Sequence, residues 1–261
     1  MSTAESSSRL WYQSFVDPNE QRPYIDRLRG HLASIADPGF RCEVVGISPP
    51  DRILHPLTEF RCATQVIRNA IAAEQQGFAA FVIGHFQEPG LHECKASVGI
   101  PVVGLGESTM LYACTLGRKI GLVTINPVFI PWHEDQITRY GLRERVISVR
   151  SLDTRVGDYM QAFEDTNAYE EVRAQFTRQA SALVDLGAEI IIPAGGLPML
   201  LFAREKDFAV RGATVLNGIN VVMKMTEMAV KLARLDGTSV SRASWYSKAS
   251  PEAIREFLDD R

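Results

Sequence analysis

Two matching segments of the chain end in the residues best placed for chemistry. The apolar run Ala79–Ile83 leads into Gly84 and His85, and the run Ile190–Ile192 leads through a Pro-Ala pair into Gly195. A continuous apolar run bounded by Gly or Pro is typical of a buried strand in a parallel sheet. Ligands bind just beyond the carboxyl ends of such strands. The pair therefore predicts two similar half-domains whose loops face one cleft, as a two-sided proton-transfer site requires.

His85 is the residue predicted to be catalytic. An imidazole ordinarily titrates near neutrality and needs no activation of the kind that a thiol needs. Removal of a proton next to a carbonyl also requires donors for the developing enolate oxygen. The backbone N–H groups of Gly195 and Gly196, at a predicted helix N-terminus, are candidates for that role. The alternatives are a histidine that only bonds a loop carbonyl, and a tight glycine turn.

Residues near the other predicted strand ends are candidate substrate contacts. An amide or hydroxyl there can donate to a carbonyl or carboxylate, although turn formation and helix capping are plainer uses of the same residues. We predict substrate contacts from Gln13, Ser14, Asn19, Phe86, Thr124 and Asn126. His133 is predicted to be a surface or cap residue. His31, His55 and His92 form no i, i+4 pair, so no metal site is predicted.

Apolar runs alternate with helical patterns along the chain. Strands separated by helices predict βαβ units with right-handed crossovers, and hence parallel sheets. The predicted strands are 9–16, 41–47, 79–83, 101–105, 119–124, 145–149, 189–192 and 213–216. A long apolar helix over 221–235 precedes a polar tail. The predicted fold class is α/β, with two similar lobes, each a mainly parallel four-stranded sheet flanked by helices, and the active site in the cleft between them.

The segment Phe86–Leu91, Phe-Gln-Glu-Pro-Gly-Leu, resembles the hydantoin racemases of the aspartate/glutamate racemase superfamily, in which Cys-Phe-x-Asp-Pro-Gly-Leu follows a strand. The segment Ala188–Met199 is similar to that family's Gly-Ala-Asp-Val-Ile-Val-x-Gly-Cys-Ala-Gly-Met. Four further segments match in the family's order, at 15–19, 100–107, 121–124 and 140–142. No single segment is specific, but the ordered set covers most of the chain.

The resemblance aligns His85 and Gly195 with the two catalytic cysteines of racemising members, which act as a thiolate base and a thiol acid on opposite faces of the carbon. Both cysteine positions are therefore expected to be substituted. The cysteines of this chain fall elsewhere, at Cys42, Cys62, Cys94 and Cys114. Free cysteine usually behaves as a small buried hydrophobe, so none is predicted to replace the missing thiols.

The resemblance implies a cofactor-independent racemase or isomerase that acts on a small carbonyl or carboxylate compound, and it implies a homo-oligomer. A glycine supplies no acid or base to the second face, so the substitution weakens direct racemisation. Two alternatives stay open: a hydrolase or lyase in which His85 works with a backbone oxyanion site, and a non-catalytic binder. With the internal repeat, the resemblance also predicts a first lobe at 1–110, completed by the C-terminal helix 219–261, and a second lobe at 111–218.

Composition sets outer limits on these functions. The chain has 261 residues, 46% hydrophobic and 23% charged, with a formal net charge of −3, values that are ordinary for a globular protein. It has no dense Lys/Arg stretch, so the expected partner is a small molecule, with no nucleic acid and no membrane. Four cysteines without a Cys-x-x-Cys pair, and an N-terminus unlike a signal peptide, predict a cytoplasmic protein. Motifs of nucleotide-binding proteins and serine hydrolases are absent.

Overall fold

The computed structural model describes residues 7–259, which fall into two compact units. The first unit holds the chain up to Gly104 and again from Val222, and the second unit holds Leu105–Val221. Each unit is built on one sheet flanked by helices. Parallel neighbours in a sheet need a crossover connection, which explains why helices separate nearly all of the strands.

The sheet of the first unit has four strands, all parallel, in the order β2-β1-β3-β4. Its strands are β1 Ser8–Gln13, β2 Phe40–Val45, β3 Ala80–Ile83 and β4 Val102–Gly104. The helices between them are α1 Arg22–Ile35, α2 Pro56–Gln75 and α3 Leu91–Ser97. All four residues of β3 are fully buried, as expected of a central parallel strand covered on both faces. The four-stranded parallel sheet predicted for this part of the chain is confirmed.

The second unit carries one strand more than the sequence predicts. Its sheet has five strands in the order β6-β5-β7-β9-β8, and β8 is antiparallel to β9. Its elements are α4 Leu105–Leu116, β5 Ile120–Thr124, α5 Ile130–Arg139, β6 Val146–Ser151, α6 Val156–Glu164, α7 Thr166–Asp185, β7 Ile190–Ala194, α8 Gly196–Leu201, β8 Ala209–Val210 and β9 Ala213–Val215.

The added strand arises from a tight hairpin. Arg211 and Gly212 both have positive φ angles, of 52° and 90°, which is the backbone that a two-residue turn requires. The turn pairs Val210 with Ala213. Four strands were predicted for this unit, and that number was wrong, because β8 is two residues long and two residues show no hydrophobic periodicity.

The chain ends with two helices, α9 Gly218–Asp236 and α10 Pro251–Asp259. The segment after α9 is not the polar tail that was predicted, because Ile254, Phe257 and Leu258 of α10 pack against the core of the first unit. Arg242 ties the intervening loop to the same unit by donating to the carbonyls of Lys95 and Val98 at 2.7 and 2.6 Å. No helix within residues 7–259 is long and apolar enough to cross a membrane.

Candidate active site

A glycine turns the chain at the carboxyl end of β3. A Cβ atom at Gly84 would lie 2.1 Å from Cε1 of Tyr12, so the aromatic ring of Tyr12 occupies the space that any other side chain would need. Tyr12 is 1% exposed and belongs to β1, the neighbouring strand. The packing of one buried ring against Gly84 therefore fixes the path of the chain into the next residue, His85.

The imidazole of His85 is held from two sides. It stacks on Phe15 with ring centroids 4.3 Å apart and planes 18° apart. Its Nε2 atom lies 3.0 Å from Oε1 of Glu59, although the contact lacks the angle of a well-aligned hydrogen bond. Both atoms are buried, and neither has another hydrogen-bond partner among residues 7–259. The side chain as a whole is 23% exposed, so solvent reaches atoms of it other than Nε2.

Gln13, predicted to contact substrate, makes all of its side-chain hydrogen bonds within the fold. Its side chain is fully buried and donates to three main-chain carbonyls at 2.9 to 3.2 Å. Its Oε1 accepts from Trp11 Nε1 at 3.2 Å and from Asn69 Nδ2 at 2.7 Å. All of its polar atoms are in use, so Gln13 joins strand and helix and has no donor to spare.

The other predicted contacts of the first unit differ in exposure. Phe86 is fully buried and Ser14 is 2% exposed, and the Ser14 side chain is hydrogen-bonded to Tyr24. Asn19 is exposed, and its main-chain N–H donates to Asp17 Oδ1 at 2.8 Å. Phe86 and Ser14 therefore support the core beneath the strand ends, whereas the Asn19 side chain faces solvent.

The carboxyl end of β5 in the second unit carries a buried polar chain. Thr124 Oγ1 lies 3.0 Å from His133 Nε2, and His133 Nδ1 lies 3.0 Å from Gln136 Oε1. Thr124 and His133 are fully buried. The amide oxygen of Gln136 only accepts, so His133 Nδ1 is the donor. A neutral imidazole then accepts at Nε2 from the Thr124 hydroxyl, whose alternative acceptor is the carbonyl of Ala194 at 3.4 Å.

His133 was predicted to lie at the surface or in a cap, and this prediction was wrong. It lies four residues after the buried Phe129, which immediately precedes α5, and four residues before the buried Ile137. That spacing is the signal of a core-facing helix position, and it was available in the sequence. The burial of Thr124 likewise favours a structural role over the substrate contact predicted for it.

The two glycines after β7 have fewer free backbone N–H donors than the sequence predicts. The N–H of Gly195 already donates to the carbonyl of Pro193 at 2.8 Å. The N–H of Gly196, at the start of the six-residue helix α8, is left as the candidate donor. Asn126 caps the short turn after β5, because its side chain accepts from the N–H of Val128 at 3.0 Å. The capping alternative considered for Asn126 is thus the one that the structure supports.

The cysteines are poorly suited to be bases. Burial raises the pKa of the Cys62 thiol to about 11 and that of Cys42 to about 12. Burial also raises the pKa of Cys94, which is 0% exposed. The fourth, Cys114, is half-buried and donates to the carbonyl of Met110 at 3.4 Å. Three of the four thiols therefore stay protonated at neutral pH, and a protonated thiol is not a nucleophile or a base.

Comparison with known proteins decides the family. The Asp/Glu/Hydantoin racemase family model matches residues 23–226. This chain belongs to that family. Among curated relatives, the hydantoin racemase of Pseudomonas sp. (strain NS671) is 28% identical over 195 residues, 74% of this chain and 76% of that protein. The hydantoin racemase of Rhizobium meliloti is 30% identical over 155 residues, 59% of this chain and 61% of that protein.

A solved structure extends the likeness to the fold. The allantoin racemase from Klebsiella pneumoniae superposes with a TM-score of 0.78 at 22% identity, with 94% of each chain covered. At that identity the likeness establishes the shared two-lobe α/β fold, and a shared fold assigns no functional residue.

Glu59 is the neighbour of His85 that sequence reasoning missed. It lies 26 positions before His85 in the sequence, in the first turn of α2, and it reaches His85 only because the crossover returns that helix to the sheet. A carboxylate in the first turn of a helix is common for electrostatic reasons alone. No local pattern separates such a residue from one that serves a neighbouring strand.

Proposed function

We propose that this chain catalyses proton transfer at a carbon next to a carbonyl of a small cyclic ureide, without a cofactor and without a catalytic thiol, and that His85 is the acid/base. One observation carries the proposal. The only imidazole at a strand end within the described residues is partly exposed, stacked on Phe15, and paired with a buried carboxylate. A partly exposed imidazole beside a carboxylate is an arrangement suited to general acid–base catalysis.

The names of the relatives support the substrate class. Hydantoin and allantoin share a five-membered ring in which one carbon bears a hydrogen and lies next to a carbonyl. Loss of that hydrogen gives an enolate, and a base must lie within hydrogen-bond reach of it. An imidazole titrates in the pH range in which such a base is useful. A ring carbonyl can receive the developing charge, which hydrogen-bond donors in the site would stabilise.

A single acid/base makes a stereochemical prediction. A group that removes a proton from one face of the carbon returns it to that face, so exchange of hydrogen with solvent should outpace inversion. Two groups on opposite faces would instead exchange and invert together. We therefore expect the chain to exchange one enantiomer of its substrate with retention of configuration.

The test is proton NMR in deuterated water with separate enantiomers of 5-substituted hydantoins and allantoin, together with imides and small dicarboxylates as comparison compounds. Blank samples without protein measure spontaneous exchange. Loss of the C–H signal above the blank supports the proposal. New resonances would mean cleavage, and hence a hydrolase or lyase in which His85 activates water or a leaving group. Binding shifts with neither change would mean a non-catalytic binder.

A further inference from the structure

Glu59 is too buried for an ordinary surface charge. Its side chain is 12% exposed, and it lies in the first turn of α2, where the helix macrodipole stabilises a carboxylate. Its Oε1 atom is buried and has His85 Nε2, at 3.0 Å, as its neighbour. Buried polar atoms almost always have a hydrogen-bond partner. For each of these two atoms, the other one, 3.0 Å away, is the available partner.

We infer that Glu59 is the positioning residue of His85 and sets its tautomer, an inference that rests on the acid/base role proposed for His85. A carboxylate only accepts hydrogen bonds, so the nitrogen that faces it carries the proton. That nitrogen is Nε2, and the lone pair is left on Nδ1. Nε2 is buried while the side chain is 23% exposed, so the exposed area lies on atoms other than the one that faces Glu59.

Phe15 supplies the second constraint. A ring stacked at 4.3 Å and 18° restricts rotation of the imidazole about its bond to Cβ, and the carboxylate restricts it within its plane. The poor angle of the Glu59 contact fits this role, because catalytic hydrogen bonds are often long or misaligned until substrate binds. Together the two contacts keep Nδ1 as the base.

The proton transfer balances on these atoms. The C–H bond of the substrate breaks, its proton bonds to Nδ1, and its electron pair moves into the enolate, with the charge on the carbonyl oxygen. The imidazolium that forms keeps the Nε2 proton and is stabilised by the Glu59 carboxylate. Return of the Nδ1 proton restores the C–H bond, and exchange of that proton with deuterated solvent first leaves deuterium on the carbon.

Few other charged groups complicate this pair. Glu59, Asp51 and Arg61 all act electrostatically on Cys62, whose thiol pKa burial raises to about 11, so they form one neighbourhood at the start of α2. Asp51 accepts from the Thr58 hydroxyl at 2.7 Å, and Arg61 donates to the carbonyl of Pro50 at 3.2 Å. Within residues 7–259, Glu59 is the only carboxylate within 4.0 Å of the His85 ring.

Two variants separate geometry from charge. Glu59→Ala removes the acceptor, and Glu59→Gln keeps the size of the side chain without its charge. Glu93→Gln, an exposed glutamate on α3 of the same unit, is the matched control. Thermal unfolding of all three variants identifies any that fails to fold. If one of the two Glu59 variants does not fold, the other is used to test the inference.

The first readout is independent of activity. Long-range proton–nitrogen NMR of the imidazoles, with the His85 signals assigned by their loss in His85→Ala, reports which ring nitrogen is protonated. We expect the Nε2–H tautomer in the native chain and in Glu93→Gln, and a mixture of tautomers in Glu59→Ala. An unchanged tautomer in Glu59→Ala would overturn the inference, even if the native chain turned over none of the tested compounds.

The second readout is the rate of exchange. Without the carboxylate the imidazole can take the wrong tautomer, so we expect Glu59→Gln to lower kcat with little change in KM. The loss should be about 10- to 100-fold, the size of effect known for carboxylates that orient metal-binding histidines. A kcat equal to that of Glu93→Gln would contradict the inference while leaving the acid/base role of His85 intact.

Discussion

The carboxyl ends of β3 and β7 have the same local topology but different chemistry. After β3, a glycine that admits no side chain is followed by a partly exposed imidazole with a carboxylate beside it. After β7 there is Gly195, and the histidine of that unit, His133, is fully buried in a hydrogen-bonded chain. The difference teaches that the repeated fold supplies two equivalent positions, whereas the residue types decide which of them can move a proton.

The largest effect should come from His85. His85→Ala should lower the exchange rate by about a hundred- to ten-thousand-fold, the range for a positioned proton-transfer group. Its melting temperature should stay close to that of the native chain. NMR exchange assays and thermal unfolding check this, with His31→Ala on α1 as the control. A lower melting temperature together with surviving turnover would mean that His85 is a packing residue and would end the contrast between the two strand ends.

Replacement of Gly84 and of Gly195 by alanine should reduce stability by different amounts. Gly84→Ala places a Cβ 2.1 Å from the buried Tyr12 ring, and overpacking of this kind should cost about 3 kcal/mol or more. Gly195→Ala places its Cβ 3.2 Å from Cδ of Pro198 at an extended φ of 164°, so a small shift suffices and the cost should be about 1 kcal/mol or less. Urea unfolding of both variants measures the difference. Equal losses would contradict the packing described for Tyr12.

Loss of the buried hydrogen bond between Thr124 and His133 should affect stability more than the rate of exchange. Thr124→Val leaves His133 Nε2 without its donor in the core, which should cost about 1–3 kcal/mol of unfolding free energy. Turnover by the folded fraction should persist. The exposed Thr115→Val in the same unit serves as the control. If Thr124→Val instead lost turnover at unchanged stability, Thr124 would be the substrate contact first predicted from the sequence.

The smallest effect concerns pH. In the unfolded chain the Cys62 thiol ionises near its ordinary pKa of 9.0, whereas burial raises the folded pKa to about 11. Its contribution to stability is therefore complete below the unfolded pKa and is lost as pH rises through the folded pKa. Between about pH 9 and about pH 10.5, the free energy of unfolding of Cys62→Ala should fall by roughly 1–2 kcal/mol less than that of the native chain. Parallel stability curves for the two proteins over that interval would refute the buried state of the thiol.

Much of the fold was predictable because its strands are simple. β3 and β7 are continuous apolar runs that are buried throughout, and such runs in alternation with helices leave few topologies open. The last helix was missed although its apolar residues, Ile254, Phe257 and Leu258, follow helical spacing. It is nine residues long and has no fully buried side chain. Its few apolar residues stand among polar ones and give only a weak helical signal in the sequence.

The site was only partly predictable. The position of His85 followed from the end of an apolar run, and the chain path through Gly84 is fixed by Tyr12, from a strand 72 residues earlier. Gln13 and Thr124 looked like donors at strand ends. Gln13 is also bonded to Val45, Gly46 and Asn69, far away in sequence, and Thr124 to His133 on the following helix, so only the tertiary structure shows that their hydrogen bonds are already made. The contact between Glu59 and His85 could not be predicted for the same reason, because the two residues lie far apart in the sequence.

The central claim is that proton transfer depends on His85 and on no thiol. Its most direct test is solvent-deuterium exchange at the ring carbon of a hydantoin by a chain with all four cysteines changed to serine, with and without His85→Ala. The account predicts that the cysteine-free chain exchanges at close to the native rate and that His85→Ala in this background removes the exchange. Loss of exchange in the folded cysteine-free chain, with full exchange in His85→Ala of the native chain, would contradict it.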